Sequence, residues 1–247
     1  WLVFLITLTV YFFSVERTGS LWDCGEFVLG AYKLQVVHPP GAPLFLIIGR
    51  MFTWVADVLS DDPSKIAFAV NLMSGICSAL AATFICWVTI IFGKISLYGR
   101  GRDEEASQDL GVMGAGLVAG LATAFATSVW FSAVEGEVYS MSTMFTTMTL
   151  WAAVKWYYLS NEPKNDRWLI FSLYSAGLSI GVHLLSLLAF PTIAILYYYK
   201  KWEKKSFLGF CVAGSVGVIS IILFQALIVS GIPQLWSMFE MLCVNSF

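Results

Sequence analysis

The chain has 247 residues, of which 58% are hydrophobic and 12% charged, with a formal net charge of -2. Its apolar stretches run far longer than the core helices of a water-soluble domain, so the chain belongs in lipid. The small negative balance argues against a nucleic-acid partner, and the few basic residues sit in short patches between apolar runs, which is a topology signal.

In chain order the apolar runs are Trp1 to Val15, Ile66 to Phe92, Leu110 to Trp130, Val138 to Leu159, Trp168 to Tyr199 and Phe207 to Ser230. Backbone amides find no water partner in hydrocarbon, so each run of this length is expected to be a helix with its hydrogen bonds closed internally. The opening run is apolar from its first residue, without a basic leader or a small-residue cleavage pattern, and reads as a spanning helix rather than a signal peptide. Neither end carries a boundary signal, so the natural chain is expected to continue beyond both. Of the five cysteines, Cys77, Cys86 and Cys211 lie inside apolar runs, while Cys24 and Cys243 fall where an external pair can form. Gly111, Gly114, Gly116 and Gly120 give small-xxx-small spacing and predict close helix packing.

Two segments decide the topology. Gly41 to Leu59 is long enough to span, yet it carries Arg50 and Asp57 and follows the helix-breaking pair Pro39 and Pro40. An ionisable residue near the bilayer centre costs about 2.5–3.5 kcal/mol on insertion scales, so a juxtamembrane or re-entrant helix is the cheaper arrangement. As one straight helix Trp168 to Tyr199 would measure about 48 Å against about 30 Å of hydrocarbon. Gly177, Gly181, His183, Ser186 and Pro191 crowd its middle, which predicts two short helices joined by an external turn. The loops at Gly93 to Asp109, Ser160 to Arg167 and Lys200 to Lys205 then share the cytoplasmic side, with Lys94, Arg100, Arg102, Lys164, Arg167, Lys200, Lys201, Lys204 and Lys205. Arg17, Lys33, Arg50 and Lys65 remain outside, as the positive-inside rule asks. The expected fold is an all-α integral membrane bundle of about seven spanning helices, with juxtamembrane helices in a first external loop, residues 16–65.

That face collects the polar residues. Asp23 and Glu26 stand three apart, and a helix over Asp23 to Gln35 puts both carboxylates on one face. Lys33 and His38-Pro-Pro-Gly-Ala-Pro follow. A second short loop brings Glu135 and Glu137 beside Trp130, Phe131 and Tyr139, and a third places His183. Carboxylates beside apolar and aromatic groups tend toward raised pKa, which suits a general base working near neutral pH. The plain alternative is a set of solvated loop acids with interfacial tryptophans. Arg50 is suited to gripping a phosphate in bidentate fashion, or simply snorkels. The two histidines are distant in sequence and no His or Cys pair has ligand spacing, so the pattern indicates no metal. His38, before two prolines, reads as a loop organiser.

The run Ser20-Leu-Trp-Asp-Cys-Gly-Glu-Phe, with Tyr32-Lys-Leu-Gln and His38-Pro-Pro-Gly-Ala-Pro-Leu-Phe, resembles a bacterial transmembrane family common in Bacteroidetes, formerly of unknown function. Trp130-Phe-Ser-Ala-Val-Glu-Gly-Glu-Val-Tyr resembles that family's second signature. These proteins are similar to a eukaryotic transmembrane O-mannosyltransferase and, more distantly, to the protein O-mannosyltransferases of the GT-C superfamily. The resemblance implies an inverting glycosyltransferase of the bacterial inner membrane, multi-pass, with its active face periplasmic. It implies a polyprenyl-phosphate sugar, mannose above all, as donor and a protein or glycan hydroxyl as acceptor, in contact with membrane lipid. No cofactor is certain from the residues, and a divalent metal stays open without being indicated. Asp23 takes the superfamily's acidic catalytic position. The adjacent Asp-Glu pair of that superfamily appears here as Asp23 and Glu26, which leaves open which acid is the base; Lys33, His38, Arg50, Glu135, Glu137, Tyr139 and His183 are the expected substrate-binding residues. The rival reading is a transporter or lipid flippase, which predicts ionisable residues near the bilayer midplane and paired repeats. A non-catalytic membrane scaffold is the third.

Overall fold

A computed structural model describes residues 1–39, 41–101 and 109–246. Pro40 of the proline turn and Arg102 of the first cytoplasmic patch lie outside the described residues. All regular secondary structure among the described residues is helical. The helices are α1 (Leu2–Ser14), α2 (Cys24–Lys33), α3 (Pro43–Leu59), α4 (Ser64–Tyr98), α5 (Leu110–Ala124), α6 (Thr127–Val134), α7 (Val138–Tyr158), α8 (Arg167–Ser179), α9 (Phe190–Lys201), α10 (Phe207–Phe224) and α11 (Gly231–Asn245).

The chain divides into two compact units, Trp1–Ser186 and Leu187–Phe247. In the first, α4 is the mast: α1, α3, α5, α6 and α7 all pack against it. Small residues permit the close approach. A Cβ on Gly116 would lie 2.9 Å from the Cys86 carbonyl, and one on Gly120 would lie 3.0 Å from the Ala82 carbonyl. Gly114 of the same predicted stripe meets nothing within 4 Å, so the stripe works through only part of its length. Where apolar attraction between helices is weak, hydroxyl pairs tie them together. Ser78 and Ser140 join α4 to α7 at 3.0 Å, and Thr149 and Ser175 join α7 to α8 at 3.1 Å.

Two helices among the described residues are long and apolar enough to cross a membrane: α4, and the continuous stretch Phe207–Asn245. The pair α5 and α6, bent by 62°, makes a third if it counts as one span. The predicted run Leu110 to Trp130 is thus broken near Phe125. The Tyr11 hydroxyl donates to the Ala124 carbonyl at 2.7 Å, satisfying a backbone acceptor that the bend frees. The run Trp168 to Tyr199 breaks at Ile180–His183, as its glycines predict, and a 3-10 segment Leu184–Ala189 leads into α9.

Gly41 to Leu59 forms α3, with Pro43 in its first turn, where a missing N–H costs nothing. The last run continues past Ser230, because a π turn at Gln225–Ser230 carries α10 into α11. Pro233 would otherwise press its ring on the carbonyl four residues back, and widening the turn accommodates it. In this second unit α9 and α10 touch closely: a Cβ on Gly217 would collide with the Pro191 backbone. All five cysteines are free, Cys24 buried and Cys243 exposed.

Candidate active site

The site is assembled on α2, which begins at Asp23 and packs its Phe27 and Ala31 into a core shared by α3, α4, α7 and the His183 turn. Asp23 occupies the N-cap position, but its carboxylate makes no capping hydrogen bond. An Asp in that place ordinarily spends its side chain on the helix's free N–H groups; here it is left available. The residue before it, Trp22, adopts a left-handed φ of 66° and is 90% exposed. A bulky residue held there carries backbone strain of order 1–3 kcal/mol.

Glu26, one turn along, faces the same way and is engaged by His38. The His38 backbone N–H donates to Glu26 Oε1 at 2.6 Å, and His38 Nδ1 lies 2.9 Å from Oε2. The hydrogen bonds from the His38 side chain and backbone hold the Glu26 carboxyl below its ordinary range, and the same Glu26 contact raises the His38 imidazole. Ligand atoms of Asp23, Glu26 and His38 all lie within 4.8 Å of one another. His38 thus joins the acids through both its backbone N–H and its imidazole.

The second loop closes on the first. Glu16 N–H donates to the Val134 carbonyl at 3.0 Å, and the Asn71 amide of α4 donates to the Glu16 and Thr18 carbonyls at 2.8 and 3.1 Å. The Cys24 thiol sits 3.7 Å from Asn71 Oδ1. Gly136 is pressed so closely that an added Cβ would meet Asn71 Oδ1 and Val70 at 3.0 Å. This contact fixes Glu137, only 7% exposed, whose carboxyl is pushed up to about 7 by burial first and then by the charges of Asp23 and Glu135, with His38 opposing. Asp23, Glu26, His38, Glu135 and Glu137 therefore share one electrostatic neighbourhood. Asn71 is absent from the sequence-based candidates. A fully buried amide inside an otherwise apolar run was the signal for it.

Tyr139 and His183 face each other with ring centroids 5.5 Å apart. The turn bearing His183 docks on the first loop, with the Leu44 N–H donating to the Gly181 carbonyl at 2.7 Å. Burial lowers the His183 pKa, and its Nδ1 accepts from the Leu185 N–H at 3.2 Å.

Lys33 and Arg50 are placed elsewhere. The Arg50 guanidinium donates to the Tyr32 carbonyl at 2.8 Å and lies over the Tyr32 ring, while Lys33 is exposed beside the same ring. Tyr32 is nine residues beyond Asp23, about 13 Å along the helix axis. The two cations are therefore gathered at the far end of α2, and the phosphate-gripping geometry expected of Arg50 is not assembled beside the acids. Between α3 and α4 runs an open apolar groove of about 640 Å³, lined by Met51, Val55, Leu59, Phe68 and Leu72, with Lys65 on its wall.

Residues 23–206, more than half of the chain, match the family model described as the N-terminal domain of protein O-mannosyl-transferase TMEM260. The chain belongs to this family. It is similar to the protein O-mannosyl-transferase tmem260 of Dictyostelium discoideum, 25% identical over 167 residues, a match covering 68% of this chain and 18% of that protein. It is also similar to the protein O-mannosyl-transferase TMEM260 of Mus musculus, 23% identical over 178 residues, covering 72% of this chain and 22% of the relative. The chain thus spans about a fifth of the length of these relatives. No solved structure matches it.

Proposed function

We propose that this chain is the membrane module of an inverting GT-C glycosyltransferase, which moves mannose from a polyprenyl-phosphate donor to an acceptor hydroxyl. The observation that carries the reading is the convergence of Asp23, Glu26, His38 and Glu137 at one end of the first unit, from loops far apart in sequence. In this reading about seven helices span the inner membrane of a bacterium, and the acid-bearing end faces the periplasm. The relatives' names supply the sugar and a protein as acceptor class, with a glycan as the variant.

Asp23 is the base. Glu26 is engaged by His38, and Glu137 takes up its proton near neutrality, whereas the Asp23 carboxylate is not used by its own helix. Asp23 accepts the acceptor's hydroxyl proton as that oxygen bonds to the anomeric carbon; the bond from that carbon to the phosphate oxygen breaks, and polyprenyl phosphate leaves. One displacement inverts the anomeric configuration. Glu26 and Glu135 position sugar or acceptor hydroxyls, Tyr139 and His183 supply a ring wall, and buried Glu137 donates a hydrogen bond while protonated. The groove between α3 and α4 suits the polyprenyl tail, with Lys65 drawing the anionic headgroup toward it.

The test is transfer of labelled mannose from polyprenyl-phosphate mannose by membranes carrying the protein, with a cell-envelope protein extract as acceptor. The wild type transfers label and Asp23→Asn, at equal abundance, does not. Normal transfer by Asp23→Asn removes Asp23 from the mechanism. Movement of labelled lipid between leaflets without transfer supports the flippase instead.

A further inference from the structure

At the end of the first unit away from the acids, α4 and α7 part to leave an open cleft of about 360 Å³. Trp87, Ile90, Ile91 and Lys94 line one side, and Trp151 and Lys155 the other. The helix α4 is long and apolar enough to cross a membrane. Its residues 71 and 94 lie 23 positions apart, about 35 Å along the axis against roughly 30 Å of hydrocarbon. Asn71 is bonded to the loop that leads to Asp23, so with α4 across the bilayer Lys94 falls at the opposite headgroup level. None of the cleft residues takes part in the proposed transfer.

Two features decide what the cleft can hold. The first is how its cations are fixed. The Lys155 ammonium sits 3.8 Å from the Trp168 ring centroid and 5.0 Å from that of Trp151. Arg100 lies 4.6 Å over the Tyr157 ring and donates to the carbonyl of Leu159, which belongs to the cleft wall. Arg167 stands 5.8 Å over the Trp168 ring. An aromatic face holds a cation through its quadrupole and, unlike a carboxylate, leaves the charge in place. The acids described on this side have other work: Asp109 caps α5 and accepts from the Tyr98 hydroxyl, Asp166 accepts from the Trp156 indole, and Glu162 pairs with Lys164.

The second feature is a gradient of polarity. Trp87 is two turns inward from Lys94, about 10 Å nearer the middle of α4, and its ring centroid is 5.2 Å from that of Trp151. Cations therefore stand at the rim and indoles with isoleucines line the inner wall. A free phosphate has nothing to place against that inner wall, whereas a lipid does. Indoles also favour the headgroup level of a bilayer.

We propose that this cleft binds one anionic phospholipid, with its phosphate between Lys94 and Lys155 and an acyl chain against Ile90, Trp87 and Trp151. Basic pockets between membrane helices select anionic headgroups, and a zwitterionic lipid brings an ammonium that the same cations repel. The proposal does not rest on the transferase reading, because no residue of the cleft belongs to the acid cluster.

The experiment uses the full chain, purified in detergent and stripped of copurified lipid. It is titrated in mixed micelles with phosphatidylglycerol or with phosphatidylcholine of the same acyl chains, and bound lipid is counted by native mass spectrometry. The wild type retains one phosphatidylglycerol per chain and prefers it by at least about 10-fold over phosphatidylcholine. Lys94→Gln and Lys155→Gln each weaken phosphatidylglycerol binding by about 3–10-fold, the effect of one lysine at an anionic lipid surface, and leave phosphatidylcholine binding unchanged. Lys155→Arg keeps the preference. Lys164→Gln, which removes an exposed charge on the same side but outside the cleft, leaves binding as in the wild type. Circular dichroism checks helix content, and Lys94→Gln decides the case if Lys155→Gln does not fold. Equal retention of the two lipids by the wild type, or a loss in Lys164→Gln as large as in the cleft variants, overturns the site. Displacement of the lipid by excess glycerol 1-phosphate, which has the headgroup charge without the chains, overturns it as a lipid site.

Discussion

The two ends of α2 carry charges of opposite sign put to opposite uses. At its C-terminus, Arg50 meets the Tyr32 carbonyl, Lys33 lies beside the Tyr32 ring, and Leu34 turns left-handed at a φ of 51° to finish the helix. A cation at a helix C-terminus complements the dipole and satisfies a free carbonyl, so this end is consolidated. At its N-terminus, Asp23 forgoes its cap, Trp22 is strained, and the Glu137 carboxyl is pushed up by burial and by the neighbouring charges. One end lowers the energy of the fold, while the other retains unspent carboxylates. Such departures from local consistency are expected where a sequence serves chemistry rather than stability.

Substitutions at the two ends should therefore fail differently. The largest effect is on rate: Asp23→Asn lowers mannose transfer by about 10²–10⁴-fold with helix content unchanged, the range of a lost general base. The next is on stability and runs in the reverse direction. Because the folded-state pKa of Glu137 lies above its unfolded value, its contribution to stability is fully present below pH 4.5 and is lost as pH rises toward about 7. Glu137→Gln should raise stability at pH 8 by about 1–3 kcal/mol and flatten the slope of Tm between those limits. Transfer falls in the same variant if Glu137 works as proposed.

At the consolidated end, Arg50→Ala costs about 1–2 kcal/mol by uncapping the Tyr32 carbonyl, read as a lower Tm, and its transfer per folded molecule falls far less than that of Asp23→Asn. The smallest effect is spectroscopic. The chain has 2 histidines, and their imidazole shifts should titrate apart, His38 above the ordinary value and His183 below it. Glu26→Gln should move the His38 titration down and leave that of His183 in place.

Much of the helical organisation was legible because burial in lipid demands long apolar runs, and these placed α1 and α7 to within a residue or so and the start of α4 to within two, while α4 runs six residues past the expected end at Phe92. The break near Gly181 and the short α3 after the proline turn also followed from local chemistry. The bend between α5 and α6 did not: the Ala124 carbonyl there takes its partner, the Tyr11 hydroxyl, from another helix, which no local pattern reports. In the site, Asp23 and Glu26 were visible through their spacing, and Glu135 and Glu137 through their aromatic setting. His38 reaches Glu26 from 12 residues away, and no spacing rule reports that closure. The assignment of Arg50 to phosphate missed a nearer acceptor, the carbonyl at the end of α2.

The central claim is that the Asp23 and Glu137 segments share one face of the membrane, opposite the loop after α7. With 21 residues, α7 measures about 31 Å, enough to set its two ends on opposite sides. In sealed vesicles of a Cys211→Ser, Cys243→Ser background, single cysteines at Leu21, Phe131 and Asn161 can be challenged with a membrane-impermeant maleimide. The account predicts that Leu21→Cys and Phe131→Cys react from the same side and Asn161→Cys from the other; labelling of the first two from opposite sides would contradict it.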